Sequence, residues 1–227
     1  GIGDLENGLI DNNLYGALVL PSTLEYIGES AFRGCKFNSE LILPEGLKKI
    51  ERCAFDGCSN FYGRLTLPAG LTQIPTELFR GTKKLTGTVV IPEGVTEIGE
   101  SAFADSGITG VVFPSSVNTI KYSAFRRSKL SGDLILPESL YSIGERAFSD
   151  TPIKSVEFPE YLTFMDSEAF AYCSQLQDTL YLPEKLERIA RYSFRGCSML
   201  DALILPSGVT LIEDEAFGDC YSLSYIY

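Results

Sequence analysis

Residues 134–151 of this 227-residue chain have the sequence L-I-L-P-E-S-L-Y-S-I-G-E-R-A-F-S-D-T, and the same pattern recurs along the chain. A proline ends an apolar triplet, and Leu or Val follows three residues later, Ile or Met six later and Phe eleven later. Successive prolines are 23, 24, 24, 22, 23, 22, 24 and 23 residues apart. They are Pro21, Pro44, Pro68, Pro92, Pro114, Pro137, Pro159, Pro183 and Pro206. Nine aligned copies predict one repeat array rather than two domains.

Each copy also predicts its own local structure. The apolar alternation before the proline is typical of a strand, and the proline ends that strand because it has no N–H to donate. The Leu and Ile positions that follow predict a second short extended segment. The E-S-A-F segment at 100–103 predicts a single helical turn, closed in four copies by Gly34, Gly57, Gly81 and Gly196. Since one copy cannot bury its own apolar face, we predict a β-rich α/β repeat solenoid with a core roughly 40–45 Å long.

Composition excludes several classes of function. The chain has 30 acidic and 19 basic residues, a net charge of −11, which disfavours nucleic acid or an anionic membrane as the partner. It has no histidine, which excludes Ser-His-Asp and Cys-His catalysis and removes the commonest zinc ligand. Its apolar stretches are too interrupted to span a bilayer, so we predict no direct membrane insertion.

Neither the carboxylates nor Cys53, the one cysteine outside a position shared by the other five, predict an enzyme or a metal site. Glu213, Asp214 and Glu215 are close together, as in a glycosidase acid pair, but they occupy the predicted turn positions, where acids favour a helix N-terminus. Cys53 has no partner pair at a metal-ligand spacing. We therefore predict no catalytic residues, no cofactor and no metal.

The other cysteines share one position, fourteen residues after the proline. They are Cys35, Cys58, Cys173, Cys197 and Cys220, and the remaining copies have Thr82, Ser106, Ser128 or Thr151 there. This tolerance of hydroxyls predicts a small inward side chain. Parallel side chains on stacked rungs favour free buried thiols, and a 35–58, 173–197 or 197–220 disulfide is the alternative.

The repeat L-x-L-P-x-x-L-x-x-I-x-x-x-A-F-x-x-C resembles the BspA-like leucine-rich repeat, the class also described in treponemal surface proteins. It differs from the commonest leucine-rich repeat because no asparagine follows the L-x-L strand. The resemblance covers residues 14–223. It implies a right-handed superhelix of about nine 22–24-residue repeats, with a parallel concave sheet and short helical turns or 3-10 segments elsewhere. It also implies secreted or cell-surface proteins of host-associated bacteria, some of them adhesins.

We treat residues 1–227 as a single leucine-rich-repeat domain. Residues 1–13 are interpreted as an incomplete or divergent first turn and residues 224–227 as a truncated next strand, so the chain is expected to be part of a longer protein.

The family likeness also points to a binding surface, because the residue between the two strand leucines faces the concave side in such repeats. Those residues are Val19, Ile42, Thr66, Val90, Val112, Ile135, Glu157, Tyr181 and Ile204. An apolar stripe of this kind predicts a protein partner, such as a host extracellular matrix protein or another microbial surface protein. The alternative for these residues is that β-branched side chains simply suit strands, or that neighbouring loops cover them. The alternative for the chain is a structural spacer that presents another domain.

Overall fold

The computed structural model describes residues 14–227 as a parallel β-solenoid in which each repeat forms one turn. Its strands are β1 Tyr15–Gly16, β2 Tyr26–Ile27, β3 Lys36–Phe37, β4 Lys49–Ile50, β5 Gly63–Arg64, β6 Leu85–Thr86, β7 Thr88–Val90, β8 Glu97–Ile98, β9 Gly110–Val112, β10 Thr119–Ile120, β11 Gly132–Ile135, β12 Ser142–Ile143, β13 Ile153–Glu157, β14 Phe164–Met165, β15 Asp178–Tyr181, β16 Arg188–Ile189, β17 Leu200–Ile204, β18 Leu211–Ile212 and β19 Tyr225–Ile226. The predicted divergent turn at 1–13 lies outside the described residues.

The first strand ladder runs through the residues that precede the prolines. Strands of neighbouring repeats pair in parallel, as β7 with β9, β11 with β13, and β15 with β17 and then β19. Successive residues point to opposite faces of a strand. In β11, Leu134 is therefore buried and Ile135 is exposed, and Leu136, just beyond the strand, is buried again. The alternation predicted before each proline is confirmed.

The second ladder runs through the isoleucine position six residues after each proline. Strands β8, β10, β12 and β14 form its four-stranded sheet, with Ile98, Ile120, Ile143 and Met165 in register and buried. The predicted second extended segment is thus present. The ladder narrows to a single bridge between Ile74 and Ile98, next to Pro75. Pro75 has no N–H to donate to the Ile50 carbonyl, as Gly99 donates to the Ile74 carbonyl at 2.8 Å, and β4 accordingly has no partner strand on that side.

The repeat prolines organise the chain between the two ladders. In all nine repeats the proline carbonyl accepts a hydrogen bond from the N–H of the Leu or Val three residues later, at 2.9 to 3.4 Å. This is the bond of a four-residue β-turn. It directs that Leu or Val into the core, where seven of the nine are buried; Leu24 and Val209, in the first and last repeats, are half-buried.

The predicted helical turns are wrong. The described residues contain no helix, and the segment around each phenylalanine is a series of tight turns. The residues nine and thirteen positions after the proline have positive φ in every repeat, for example 57° at Arg146 and 62° at Asp150. A residue in the left-handed region interrupts a right-handed helix.

Hydrogen bonding between rungs explains why turns replace a helix. The phenylalanine N–H donates to the neighbouring rung rather than within its own segment, as from Phe125 to the Ala147 carbonyl at 2.8 Å. The N–H groups of Ser123 and Arg127 do the same, to Glu145 and Ser149. Because alternate N–H groups of the segment bind the next rung, the i→i−4 bonds of a helix cannot form.

The phenylalanines form the centre of the core. Rings of successive repeats stack with centroids 5.2 to 5.7 Å apart and planes within 21° of parallel. Phe32 to Phe194 are buried, and Phe217 in the last repeat is half-buried. This continuous ladder of rings is the contact that joins every repeat to its neighbours.

Candidate functional site

The nine predicted interaction residues form a line along the outer face of the first ladder, which we call the strand stripe. Their positions follow from strand alternation, because each lies between two inward-pointing residues. Eight are exposed and Ile204 is half-buried. The stripe consists of Val19, Ile42, Thr66, Val90, Val112, Ile135, Glu157, Tyr181 and Ile204.

The centre of the stripe is a run of three aliphatic residues on adjacent rungs. Val90 lies directly opposite Val112, and β11, which carries Ile135, packs beside β9. Their exposed fractions are 55%, 50% and 61%, far above those of the core. On the next rung, Glu157 pairs with Ile135 and ends the run. Exposed aliphatic side chains on neighbouring rungs make a continuous apolar surface, the kind that marks interaction sites.

A groove of about 340 Å³ lies beside the first two residues of the stripe. Val19 and Ile42 line it together with Pro44, and their exposed fractions are 85% and 71%. The carboxylate-bearing residue Glu45 lines the same groove. The groove therefore combines apolar walls with an acid at one side.

Exposed acids accompany the stripe, and they were not among the predicted site residues. Five of the nine repeat prolines are followed at once by an exposed glutamate, and we call these residues the proline-turn acids. They are Glu45, Glu93, Glu138, Glu160 and Glu184. The recurring Pro-Glu pair was visible in the sequence. Its relation to the stripe was not, because only the groove brings Glu45 together with Val19 of the preceding repeat.

Ion pairs between neighbouring rungs occur along the turn segments, which are the tight turns around each repeat phenylalanine. Asp56, with a side chain only 6% exposed, is bound by Arg33 from one neighbouring rung and by Arg80 from the other. Arg146 binds Glu168 of the next rung through two hydrogen bonds of 2.9 and 2.6 Å. The position twelve residues after the proline, which is Arg33, Asp56 and Arg80 in three successive repeats, therefore contains a buried charge network.

The carboxylates considered as glycosidase acids have structural partners. Glu213 binds Arg188, Asp214 lies 4.0 Å from Arg191, and Glu215 binds Arg195. Hydrogen bonding from the Arg188 side chain, and then from the Arg191 backbone, lowers the pKa of Glu213. A general acid at neutral pH needs the opposite shift. Within residues 14–227, no group of three or more His, Cys, Asp or Glu side chains could hold a metal ion.

All six cysteines are free thiols, and five of them lie in the predicted inward position. The Sγ of Cys58 donates to the Phe32 carbonyl at 2.8 Å, and Cys173 and Cys197 bind the equivalent carbonyls at 3.3 Å. Thr82 donates to the Phe79 carbonyl of its own rung. Cys and Thr at this position therefore both find a carbonyl acceptor, whereas the buried hydroxyls of Ser106 and Ser128 have no hydrogen-bond partner among the described residues. Burial raises the pKa of the Cys58 thiol to about 12.

The fold and the stripe together define a class: a solenoid repeat protein with an exposed apolar sheet face. No helix in residues 14–227 is long and apolar enough to cross a membrane. The chain belongs to the BspA-type leucine-rich-repeat family, because residues 11–131 and 131–227 match the BspA type leucine rich repeat region in six copies. Among curated protein sequences, none is significantly similar to this chain.

Solved structures of bacterial leucine-rich-repeat proteins share the fold. The pneumococcal vaccine antigen PcpA is 23% identical, with a TM-score of 0.62, over 94% of this chain and 60% of that one. A leucine-rich repeat protein from Bacteroides ovatus is 22% identical, with a TM-score of 0.57, over 93% and 66%. The Treponema pallidum leucine rich repeat protein is 29% identical, with a TM-score of 0.55, over 61% and 68%. The chain thus spans about two thirds or less of the first two proteins.

Proposed function

We propose that this chain is a non-catalytic protein-interaction module that binds a protein partner through the strand stripe. The observation that carries the proposal is the run of exposed aliphatic residues at Val90, Val112 and Ile135. Strand preference alone would explain why they are β-branched, but it gives no reason for three aliphatic residues to remain exposed on consecutive rungs. Burying such a surface against a partner contributes favourable free energy.

The rest of the surface supports the same assignment by contrast. Along the turn segments, charged residues form ion pairs between neighbouring rungs, as Arg80 does with Asp56 and Arg146 with Glu168. Those side chains are engaged within the protein. The stripe residues are exposed and face solvent, so they are the ones available to an incoming surface.

The setting we propose is a secreted or cell-surface bacterial protein. One structural neighbour is a pneumococcal vaccine antigen. A surface location would place the stripe where host matrix proteins and the surface proteins of other microbes are accessible. An adhesin-type domain is the function that combines this location with a non-catalytic apolar surface.

The test is an array of purified host extracellular matrix proteins and bacterial surface proteins, probed with this chain and two variants. V90D/V112D places two carboxylates in the centre of the stripe, and we expect at least a tenfold loss of affinity for any partner found, since a buried unpaired charge is costly. T72D/T96D is the matched control, because it adds the same charge at exposed positions after the proline turns. It should bind as the wild type does.

Retained binding of a detected partner by V90D/V112D would exclude the stripe as the interaction surface. If no protein of the array binds, a structural spacer that presents another domain becomes the better assignment. Both variants should keep the wild-type circular dichroism spectrum at the temperature of the binding assay, because the substituted side chains lie outside the core.

A further inference from the structure

We infer that the partner surface recognised by the stripe is a basic amphipathic helix, whose lysines or arginines meet the proline-turn acids while its apolar residues cover the stripe. This inference rests on the proposed function and adds the chemistry and shape of the partner. It depends on three observations: four of the five acids have no ion pair of their own, one of these four lines a groove with the stripe, and the four lie on every second rung of the solenoid.

The proline-turn acids differ from most charged residues of the turns because four of the five form no ion pair. Among the described residues, all five are exposed, and only Glu160 has an ion-pair partner, Lys185 at 4.0 Å. Further exposed acids lie on the same side of each turn, within the strands or beside them: Glu40, Asp133, Glu157, Asp178 and Asp201. The bases of that region are Lys36, Arg64, Lys154 and Lys185. The stripe therefore lies in a region of negative charge, which attracts cationic partners and raises their association rate.

The groove at the first rungs shows how apolar and acidic groups meet. Val19 and Ile42 form its walls and Glu45 lies at its side. The same combination, an exposed apolar stripe residue followed three positions later by a glutamate, recurs at Val90 with Glu93, Ile135 with Glu138, and Tyr181 with Glu184. A side chain with an apolar stem and a cationic end, such as lysine, suits both parts of this arrangement.

Spacing selects a helix over an extended segment. Glu45, Glu93, Glu138 and Glu184 lie on every second rung, which is about 9.4–9.8 Å at the usual distance between strands. A helix places residues i and i+7 on one face about 10.5 Å apart. In an extended chain, residues on one face are about 6.8 or 13.6 Å apart, and neither matches. A helix lying along the solenoid could therefore present one cation per heptad to successive acids.

The probe is a synthetic amphipathic peptide of about 28 residues, or about 42 Å of helix, with leucines on one face and one lysine per heptad beside them. Two peptides of identical length serve as comparisons. One has glutamate in place of each lysine, and the other has the same composition in scrambled order. We expect the lysine peptide to bind this chain at least tenfold more tightly than either comparison in a calorimetric titration, and more weakly as NaCl rises from 50 to 500 mM, because salt screens exposed charges.

Paired variants locate the charge effect. E93K/E138K reverses two proline-turn acids beside the central stripe and should weaken binding of the lysine peptide at least fivefold. E100K/E187K makes the same change in net charge at two other exposed acids, Glu100 in a turn segment and Glu187 just before strand β16, which form no ion pair among the described residues, and should weaken binding less than twofold. Equal losses in both variants would reduce the effect to net charge and overturn the inference.

Other outcomes separate this inference from the proposed function. If the glutamate peptide binds as well as the lysine peptide, and V90D/V112D abolishes both, the stripe is an interaction surface and the basic partner is wrong. If all three peptides fail to bind while a protein of the array binds through the stripe, the helix is wrong and the function stands. If the lysine peptide binds V90D/V112D unchanged, the stripe takes no part in recognition.

Discussion

At the scale of single residues, the phenylalanine of each repeat contributes most to the core. Phe125 is fully buried and stacks on Phe103 and Phe148, both at 5.3 Å between ring centroids. Phe113 also meets its ring edge-on at 5.8 Å. Loss of this ring would remove contacts to both neighbouring repeats at once.

We expect Phe125→Ala to reduce the free energy of unfolding by about 3–5 kcal/mol, because a large cavity opens in a core closed on all sides. Chemical denaturation of the wild type and the variant measures the change. Tyr141→Ala is the control, since Tyr141 is half exposed and a loss below about 1 kcal/mol is expected there. A similarly small loss for Phe125→Ala would mean that the phenylalanine ladder is not a buried core.

The position thirteen residues after each proline illustrates a second effect of single residues. It has positive φ in every repeat, and it is glycine in four of them. Glycine adopts this conformation without steric cost, whereas other residues are strained by about 1–2 kcal/mol. Gly81 and Arg127 have φ values of 72° and 56°, and both donate a hydrogen bond to the neighbouring rung.

We therefore expect Gly81→Ala to lose, and Arg127→Gly to gain, about 0.5–1 kcal/mol of stability in the same denaturation assay. A Cβ at position 81 would lie 3.5 Å from the Cα of Gly57, so a steric clash would not cause the loss. The ion pairs of Arg127 are exposed, with distances of 3.5 and 3.6 Å, and contribute little. Changes of equal sign in the two variants would contradict the conformational explanation.

At the scale of the structural element, each turn segment is held by its neighbours rather than by itself. Its N–H groups bind the next rung, and charged side chains form pairs across the same gap. Arg146 and Glu168 are one such pair, with two hydrogen bonds. Hydrogen bonding from Arg146 lowers the pKa of Glu168 from 4.5.

This shift makes stability depend on pH in a defined direction. A carboxyl group with a lowered pKa in the folded state stabilises the protein above its unfolded value of 4.5, and this contribution is lost as the pH falls through the folded value. We expect the free energy of unfolding of Glu168→Gln to fall less than that of the wild type as the pH is lowered below 4.5. Urea denaturation at a series of pH values measures the difference.

Glu93→Gln is the matched control, because Glu93 is exposed and has no ion pair among the described residues. It should follow the wild-type pH dependence. If the free energy of unfolding of Glu168→Gln also has the wild-type pH dependence, the ion pair with Arg146 contributes nothing to folding.

At the scale of the whole molecule, contacts between neighbouring repeats determine stability, so the two ends have fewer partners than the middle. Ile212, at the isoleucine position of the last repeat, is 48% exposed, whereas Ile143 in the middle is fully buried. In a solenoid of this kind, repeats at an end open more readily than central ones. The rates at which the buried cysteines react with a thiol reagent measure this difference between end and central repeats.

We expect Cys220 to react with a thiol reagent before Cys173 and Cys197 in the native protein. Cys220 is half-buried in the last repeat and the other two are fully buried. Burial raises the pKa of all three thiols, that of Cys173 to about 11, so reaction requires local opening. Mass spectrometry of the labelled peptides over time gives the order, and equal rates would mean that the array opens as one unit.

The same reagent resolves the alternative left open by the sequence. In denaturant without reductant, all six cysteines should be labelled if they are free thiols. Four labelled cysteines would reveal a disulfide between stacked rungs.

Sequence alone was sufficient for the repeat, the strand before each proline and the buried Leu, Ile and Phe positions. These follow from periodicity, because the same apolar pattern in nine copies has one way to be buried. The stripe residues were chosen from the family likeness, and their role in binding stays a prediction. The helical turn was predicted wrongly from Glu-Ser-Ala-Phe at 100–103, which suits a helix when considered locally. The rung beside it offers carbonyl acceptors to alternate N–H groups, and that competition exists only in the stacked structure.

What the tertiary structure decided concerns pairs of residues on different rungs. It placed Asp56 between Arg33 and Arg80, Cys58 against the Phe32 carbonyl, and Glu45 beside Val19. These partners are 23 to 26 residues apart in the sequence. A repeat period fixes which residues share a column, but the register between rungs determines which side chains touch. Register depends on hydrogen bonds between rungs, and therefore only the folded solenoid could reveal them.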